Sequence, residues 1–475
     1  MLTYTLRYTG HPLVDAGVAT ITAFAGKTDP ADVTADDLSQ VAEYITREYS
    51  KNPMKSFLTV VFPNSGFTQP AFDKQPEKRV AYASKVLLSW LDNIETTQER
   101  CVVFNIPATM RVHRQAVPLI GPEDGFNFYA EGDSGLPISG LALLAIQALP
   151  LGSLKCAGRL LVIHAEDPDL TYRFAAQALE ANRRYLSLAS QADKYEDVKH
   201  PRTQIIDRLV RAEEARKDAE ISSVTAYHLT NYGTNAAVDI YHLPLQIMRF
   251  LSYATDATYR NAWQRIVQRS WEGGRATPES DTFGLPRQRN VLYEDLFALP
   301  QEARRFLRTF ILRMPRLVKG QGKDDPRATY SLLTETDLVS WPLTALFLKE
   351  VMNVDDSRIE AIKAMADHLA DYIDEHGDQR LFRTLLYGGN RGQDYQELRT
   401  RLIRADYGVA ARQGPLFTLD EFVAVFENTD NQYTWMLARD LLLIRIIERL
   451  YERGKIAQIH EAVGSPVDAV DIEQE

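Results

Sequence analysis

Apolar residues recur along this chain with two different periods, and the change of period divides it. Over the first ~330 residues, short apolar runs alternate with helical stretches. "FLTVVF" (57–62) and "RLLVIHA" (159–165) are rich in β-branched residues and close on Pro63-Asn64 and Asp167-Pro168. Both are therefore expected to be buried strands. "TADDLSQVAEYITREYSK" opens on Thr34 and spaces Leu38, Val41, Ile45 and Tyr49 as one face of a helix. A charged helical stretch is expected from about 172 to 220, ahead of the strand-like "SVTAYHLTNYG". "VKGQGKDDPRATY" (318–330) carries no apolar period and reads as a linker. Beyond it the period is helical nearly to the end. "DSRIEAIKAMADHLADYIDEH" puts Ile359, Ile362, Met365, Ala366, Leu369 and Ile373 on one stripe before Gly377. "TWMLARDLLLIRIIERLYERG" repeats the pattern and stops at Gly454. The last residues, "AVGSPVDAVDIEQE", read as an acidic tail.

The pattern predicts an α+β protein: a mixed N-terminal body over 1–330, then an all-α C-terminal helical bundle over 331–475. Length alone, 475 residues, implies more than one domain. No uncharged apolar run approaches the ~18 residues of a membrane span. "MLTYTLRYTG" lacks the basic start and apolar core of a signal peptide. Two cysteines, Cys101 and Cys156, make no disulfide framework, so a reducing cytoplasm is the expected compartment. The net charge of −10 is uneven: from Val351 onward 14 basic residues face 23 acidic ones. An acidic whole argues against strong unaided DNA binding, so any nucleic-acid role must rest on local patches.

Catalytic chemistry finds little support. His164, Glu166 and Asp167 stand at a strand end, where a hydrolase would place reacting groups, but nothing else converges on them. The nine histidines are scattered, without a metal-binding helix motif or a phosphate-binding loop. Two polar loops carry more. "FPNSGFTQPAF" sets Asn64, Ser65 and Gln69 after an apolar run, and "HLTNYGTNAAVDIYHLP" sets Asn231, Tyr232, Thr234 and Asn235 around Gly233. Neutral amides and hydroxyls donate and accept, so they suit base edges, and the same residues also suit plain turns. Basic residues follow at Arg287, Gln288 and Arg289, then at Arg304, Arg305, Arg308, Arg316 and Lys319. In "ARRFLRTFILRMPR", Arg305 and Arg308 share one side of an expected helix ending near Arg313, with Glu302 the only opposing charge. These cations suit phosphates, or form an ordinary solvated face.

Read in order, "YTGHPLVDAGVATITAFAGK", "VVFPNSGFTQPAF", "GLPISGLALLAIQALPLG", "YHLTNYGTNAAVDIYHLP" and "VLYEDLFALPQEARRFLRTFILR" resemble the large subunit of the type I-B CRISPR Cascade complex, over roughly the first 315 residues. That branch is known for two CXXC pairs that suit structural zinc. Here the pairs read Cys101-Val102-Val103-Phe104 and Ser139-Gly140-Leu141-Ala142. The resemblance thus implies a degenerate former metal site at Cys101, Phe104, Ser139 and Ala142, with no metal or other cofactor and Cys101 as a small core residue.

The same resemblance implies a non-enzymatic subunit that reads a protospacer-adjacent motif in duplex DNA, starts unwinding and R-loop formation, and recruits later effectors. Its implied partners are guide RNA, target duplex and displaced strand, Cascade backbone subunits, and a helicase-nuclease or transposition proteins, with no membrane. The alternative is a scaffold in a CRISPR-associated transposon complex that holds guide RNA and recruits transposition proteins. The first loop set and the second are the expected motif readers, and the basic residues the expected backbone contacts. Type I-B relatives often make a small helical subunit from an internal start. Met352 or Val354 is the start this would use here, Met352 giving a product of 124 residues. Its arginines, among them Arg399, Arg401, Arg404 and Arg445, would need to gather on one face to follow DNA.

Overall fold

The computed structural model describes residues 5–91, 99–121, 134–188, 192–214, 221–231, 236–273, 277–312, 314–316, 329–331, 335, 339–387, 392–426 and 434–457. Helix makes up 61% and strand 10%, so the chain is α+β with a helical C-terminal part. By compactness it divides not at 330 but into unit 1, residues 1–248 with 278–289, and unit 2, residues 249–277 with 290–475. Most of the expected linker over 318–330 lies outside the described residues.

Unit 1 is built around two helices that are apolar on every side. Helix α1 (Pro12–Phe24) buries every residue from Leu13 to Thr22. α2 (Ala35–Tyr49) follows, capped by the reciprocal Thr34–Asp37 pair that the sequence shows as T-A-D-D. α3 (Met54–Val61) and α4 (Pro76–Leu87) lead to the short antiparallel pair β1 (Met110–Val112) and β2 (Leu136–Ile138). α5 (Gly140–Ala148) is wholly buried, as an all-round apolar helix must be. It crosses α1 so closely that a Cβ on Gly17 would lie 2.0 Å from the Ala145 carbonyl oxygen. β3 (Leu154–Cys156) and β4 (Arg159–Ala165) precede α6 (Pro168–Leu188) and α7 (Pro201–Glu214). β5 (Val224–Thr230) and β6 (Ala237–Leu243) complete an antiparallel sheet of order β3-β4-β5-β6. β4, buried along most of its length, packs against α1 and α6, which matches the buried strand expected there.

The other expected strand, 57–62, is instead the body of α3. Met54, Phe57, Leu58 and Val61 are buried at spacings of three, one and three, one face of a helix. Tertiary burial of that face overrides the β preference of Val60 and Val61.

In unit 2, α8 (Leu245–Ala254) crosses the unit boundary and α9 (Arg260–Arg269) and α10 (Val291–Asp295) follow. α11 (Ala303–Phe306) runs into a wider π turn over Leu307–Ile311, and β7 (Met314–Arg316) pairs in parallel with β8 (Thr329–Ser331). The expected Arg-rich helix is therefore one α turn plus one π turn, closed at Leu312. Phe250, Trp263, Phe306, Phe310 and Phe347 form an aromatic core, with ring centroids 4.8–5.4 Å apart. α12 (Trp341–Glu350), α13 (Asp356–His376), α14 (Gln379–Tyr387), α15 (Gly392–Gln413), α16 (Leu419–Phe426) and α17 (Thr434–Glu452) make the helical part. α13 buries the six residues of the expected stripe and ends on Gly377 in the left-handed conformation. No helix among the described residues is long and apolar enough to cross a membrane.

Candidate nucleic-acid interface

Two polar segments far apart in sequence are joined within unit 1. β5 and β6 pair in antiparallel fashion, with Thr230 opposite Ala237 as the pair nearest the connection between them. The base of this hairpin is fixed by Asn231, which is fully buried. Its backbone N–H donates to the Val60 carbonyl at 2.8 Å. Its Nδ2 donates to the carbonyls of Val61 at 3.3 Å and Arg114 at 2.9 Å. The Arg114 guanidinium returns a bond to the Asn231 carbonyl at 2.7 Å. Since α3 ends at Val61, the hairpin is stitched to the start of the loop that carries Asn64.

Asn64 is exposed and holds φ of 61°, a left-handed conformation that Asn accepts more readily than most residues. Ser65 behind it is fully buried: its hydroxyl meets that of Thr68 at 3.2 Å, and its carbonyl accepts from the backbones of Thr68 and Gln69. Gly66 lies against the Tyr82 ring, where a Cβ would sit 2.2 Å from Cγ. Gln69 is half-buried. The loop is thus a rigid turn that presents Asn64. Ser65 and Asn231 are buried, the Ser65 hydroxyl against that of Thr68 and the Asn231 Nδ2 on two backbone carbonyls, so neither is presented at the surface as Asn64 is. Tyr232, Thr234 and Asn235 lie outside the described residues.

β6 is the end strand of the sheet, with Ala237 to Ile240 exposed. On this face Asp239 takes Arg159 at 2.7 Å, and the Arg202 guanidinium sits 5.2 Å over the Tyr241 ring. Burial pushes the Tyr241 hydroxyl up, with Asp239 adding to it. His228 beneath, bonded to the Cys156 carbonyl at 2.8 Å, is held below its usual value, chiefly by burial.

The basic residues do not form one patch. Arg287, Gln288 and Arg289 belong to unit 1; Arg304, Arg305 and Arg308 belong to unit 2. Arg287 is exposed, while the Gln288 Oε1 accepts the Glu279 backbone N–H at 2.8 Å and so helps close its own loop. In unit 2 the expected amphipathic split holds: Phe306, Leu307, Phe310 and Ile311 are buried, and Arg304, Arg305 and Arg308 are exposed. Their charge is opposed by more than Glu302, since Arg305 also pairs with Asp295 at 3.3 Å and Arg308 with Asp440 at 3.2 Å. Arg304 lies near Arg358, whose guanidinium is pushed below its usual value by burial and then by Arg304. Of Arg316 only the backbone is described, and Lys319 lies outside the described residues.

Cys101 and Phe104 are both buried, in a tight loop closed by Cys101 N–H to the Ile106 carbonyl at 2.7 Å and Asn105 N–H to the Cys101 carbonyl at 3.0 Å. Val102 N–H reaches the Pro137 carbonyl at 3.1 Å, which brings this loop to the strand leading into Ser139. Ser139 caps α5 through the Ala142 N–H, and Ala142 is buried. No group of three His, Cys, Asp or Glu residues suited to a metal occurs among the described residues.

At the other strand end, His164 Nε2 lies 3.4 Å from Asp15, whose carboxylate also accepts the Thr9 and Gly10 backbones and the Thr9 hydroxyl. Burial alone would raise Asp15, but these bonds outweigh it and hold the carboxyl below its usual range. Asp167 accepts the Asp169 N–H at the start of α6, and Glu166 is exposed. Asp167 thus caps α6 and His164 ties to the loop that Asp15 closes. Arg114, which no sequence pattern marks, is the residue most central to the hairpin base. No protein-family model, curated protein or solved structure matches this chain.

Proposed function

We propose that this chain is the large subunit of an RNA-guided Cascade-type surveillance complex, reading a short motif in duplex DNA and starting strand separation. The observation that carries the reading is the joint between the β5–β6 hairpin and the Asn64 loop. It sets an exposed amide within three residues of a hairpin base locked by Asn231 and Arg114. A rigid presenting element with a small uncharged donor suits the minor groove, which displays mostly acceptors. A protein that reads a short motif and leaves the rest to guide pairing needs only such a limited contact. The chain acts without hydrolysis of its own, and its partners supply the cationic surface that a net charge of −10 withholds.

The test is a gel shift of the chain co-assembled with guide RNA and neighbouring subunits, on matched targets flanked by randomised duplex. Sequencing of the bound fraction should return a short motif in the parent complex and a relaxed one in Asn64→Ala, with overall affinity little changed. Tight binding with no motif in the parent complex would reduce the chain to a scaffold that holds guide RNA and recruits other proteins.

A further inference from the structure

Away from the hairpin, unit 1 holds a cavity of about 240 Å³ between α6, α7 and the loop over 283–285. Gln177, Glu180, Ala181 and Arg184 face it from α6, at spacings of three, one and three along one helix face. Arg208 and Arg211 face it from α7, and Phe283 and Leu285 from the loop. The walls are fixed. Gln204 donates to the Pro286 carbonyl at 2.9 Å, Arg211 donates to the Gly284 carbonyl at 2.9 Å, and Asp281 accepts the backbones of Phe283 and Leu285. Phe283 stacks on Tyr195, with centroids 6.0 Å apart.

The floor is chemically odd. Arg208 is only 4% exposed, and its Nε has no hydrogen-bond partner. A buried guanidinium Nε–H without a partner is costly. Burial pushes Arg208 down to about 10, still charged at neutral pH. Asp207 and, more weakly, Asp281 favour its charged form. Asp207 is committed to Arg211 at 3.0 Å, Asp281 to two backbone N–H groups, and burial raises both carboxyls above their usual range. Glu180 stands exposed at the rim, one turn before the exposed Arg184 on the same helix face.

We propose that this cavity binds a phosphoryl group, held by Arg208 from the floor and by Arg184 from the rim, with Arg211 fixing the wall beside them. Guanidinium forks match phosphate oxygens in pairs, and one from each of two helices faces the cavity. The volume lies below the ~300 Å³ at which drug-sized ligand sites begin, so the phosphoryl enters and the rest of its carrier stays outside. The carrier is either a nucleic-acid strand or a free phosphate compound, and the assignment does not depend on motif reading by the hairpin.

The test is titration of the purified full chain with inorganic phosphate, and with a single-stranded ribo-oligonucleotide carrying either a 5′-phosphate or a 5′-hydroxyl. Saturable phosphate binding is expected, about tenfold or more weaker in Arg208→Gln and clearly weaker in Arg184→Ala, as for loss of one charge-assisted bond. Circular dichroism checks that each variant folds. Oligonucleotide binding that phosphate competes away, and that weakens in the same variants, supports the site with a strand as its source. Phosphate binding with no competition supports it with a free phosphate compound as source. Absence of saturable binding of either probe overturns the assignment, as does unchanged affinity in both variants. Should Arg208→Gln not fold, unchanged affinity in Arg184→Ala overturns it alone. Loss of motif reading in the assembled complex leaves these outcomes untouched.

Discussion

Units 1 and 2 solve the same problem, holding helices together, by different means. In unit 1 the central contact is steric: α1 and α5 are apolar all round and meet where Gly17 has no side chain. In unit 2 the helices α13 and α17 add a charged seam to their apolar stripe. Arg445 bonds Asp367 at 2.7 and 3.1 Å and Glu448 at 2.6 Å, Arg449 reaches Asp367 and Glu452, and Arg453 reaches Asp371 and Asp374. The difference explains the charge distribution. The acidic excess after Val351 is partly structural, because the arginines of α17 are spent on the carboxylates of α13. Arg445 and Arg401, the latter paired with Glu397 at 2.7 Å, are thereby withdrawn from the single cationic face a DNA-following bundle requires. Arg399 and Arg404 remain exposed on α15.

The comparison breaks most sharply at Gly17. Gly17→Ala should destabilise unit 1 by about 3 kcal/mol or more, since backbone rather than a flexible side chain occupies the space. Hydrogen exchange should show protection lost along α1 and α5 and retained along α13 and α17. Equal loss in both would deny that the two cores are separate in kind. Arg445→Ala should cost about 1–2 kcal/mol by denaturant unfolding, because it removes bonds to two partly buried carboxylates, while Asp367 keeps Arg449 and Glu448 keeps the Trp341 backbone N–H. Arg401→Ala, on a more exposed pair, should cost under ~0.5 kcal/mol.

Asn231→Ala should cost about 2 kcal/mol, for it leaves the Val61 and Arg114 carbonyls short of a donor. Asn64→Gly should change stability by under ~0.5 kcal/mol, since glycine accepts its backbone conformation, while still altering motif preference. A large stability loss at Asn64 with none at Asn231 would reverse the assignment of reader and support.

Acid separates the units through particular groups. His11 and His228 in unit 1 are both held below the usual histidine value, chiefly by burial. The unfolded chain then takes up protons first, so their contribution is full above about pH 6.5 and declines as pH falls toward the folded values. Glu448 in unit 2 is pushed above its usual value by burial, which reverses the sign: acidification stabilises the fold at that group. Urea midpoints of His228→Gln and Glu448→Gln at pH 7.5 and 5.5 should show opposite changes in slope with pH against the parent.

The elements readable in advance were those whose local signals agreed. The capping box at Thr34, the stripe and Gly377 stop of α13, and the apolar run of β4 each repeat one message in propensity, period and boundary. The segment 57–62 misled because its β-branched residues favoured a strand while its burial spacing, visible only from Met54 onward, was helical. Among candidate site residues, residue type marked Asn64 and Asn231 alike. Only burial separates them, and burial depends on α3 and Arg114 arriving from elsewhere in the chain.

The sequence by itself determined the α+β class, the helical C-terminal part, the start of α2 at Thr34, the stop of α13 at Gly377 and the outward side of Arg304, Arg305 and Arg308, because these follow from periods and caps within a few residues. The tertiary structure alone decided which polar residues are spent and which are free to act. Asp440 opposes Arg308, Asp367 captures Arg445, and Arg208 is buried with its Nε unpartnered. Each outcome depends on charges and volumes brought together across tens to hundreds of residues, and no local pattern encodes that meeting.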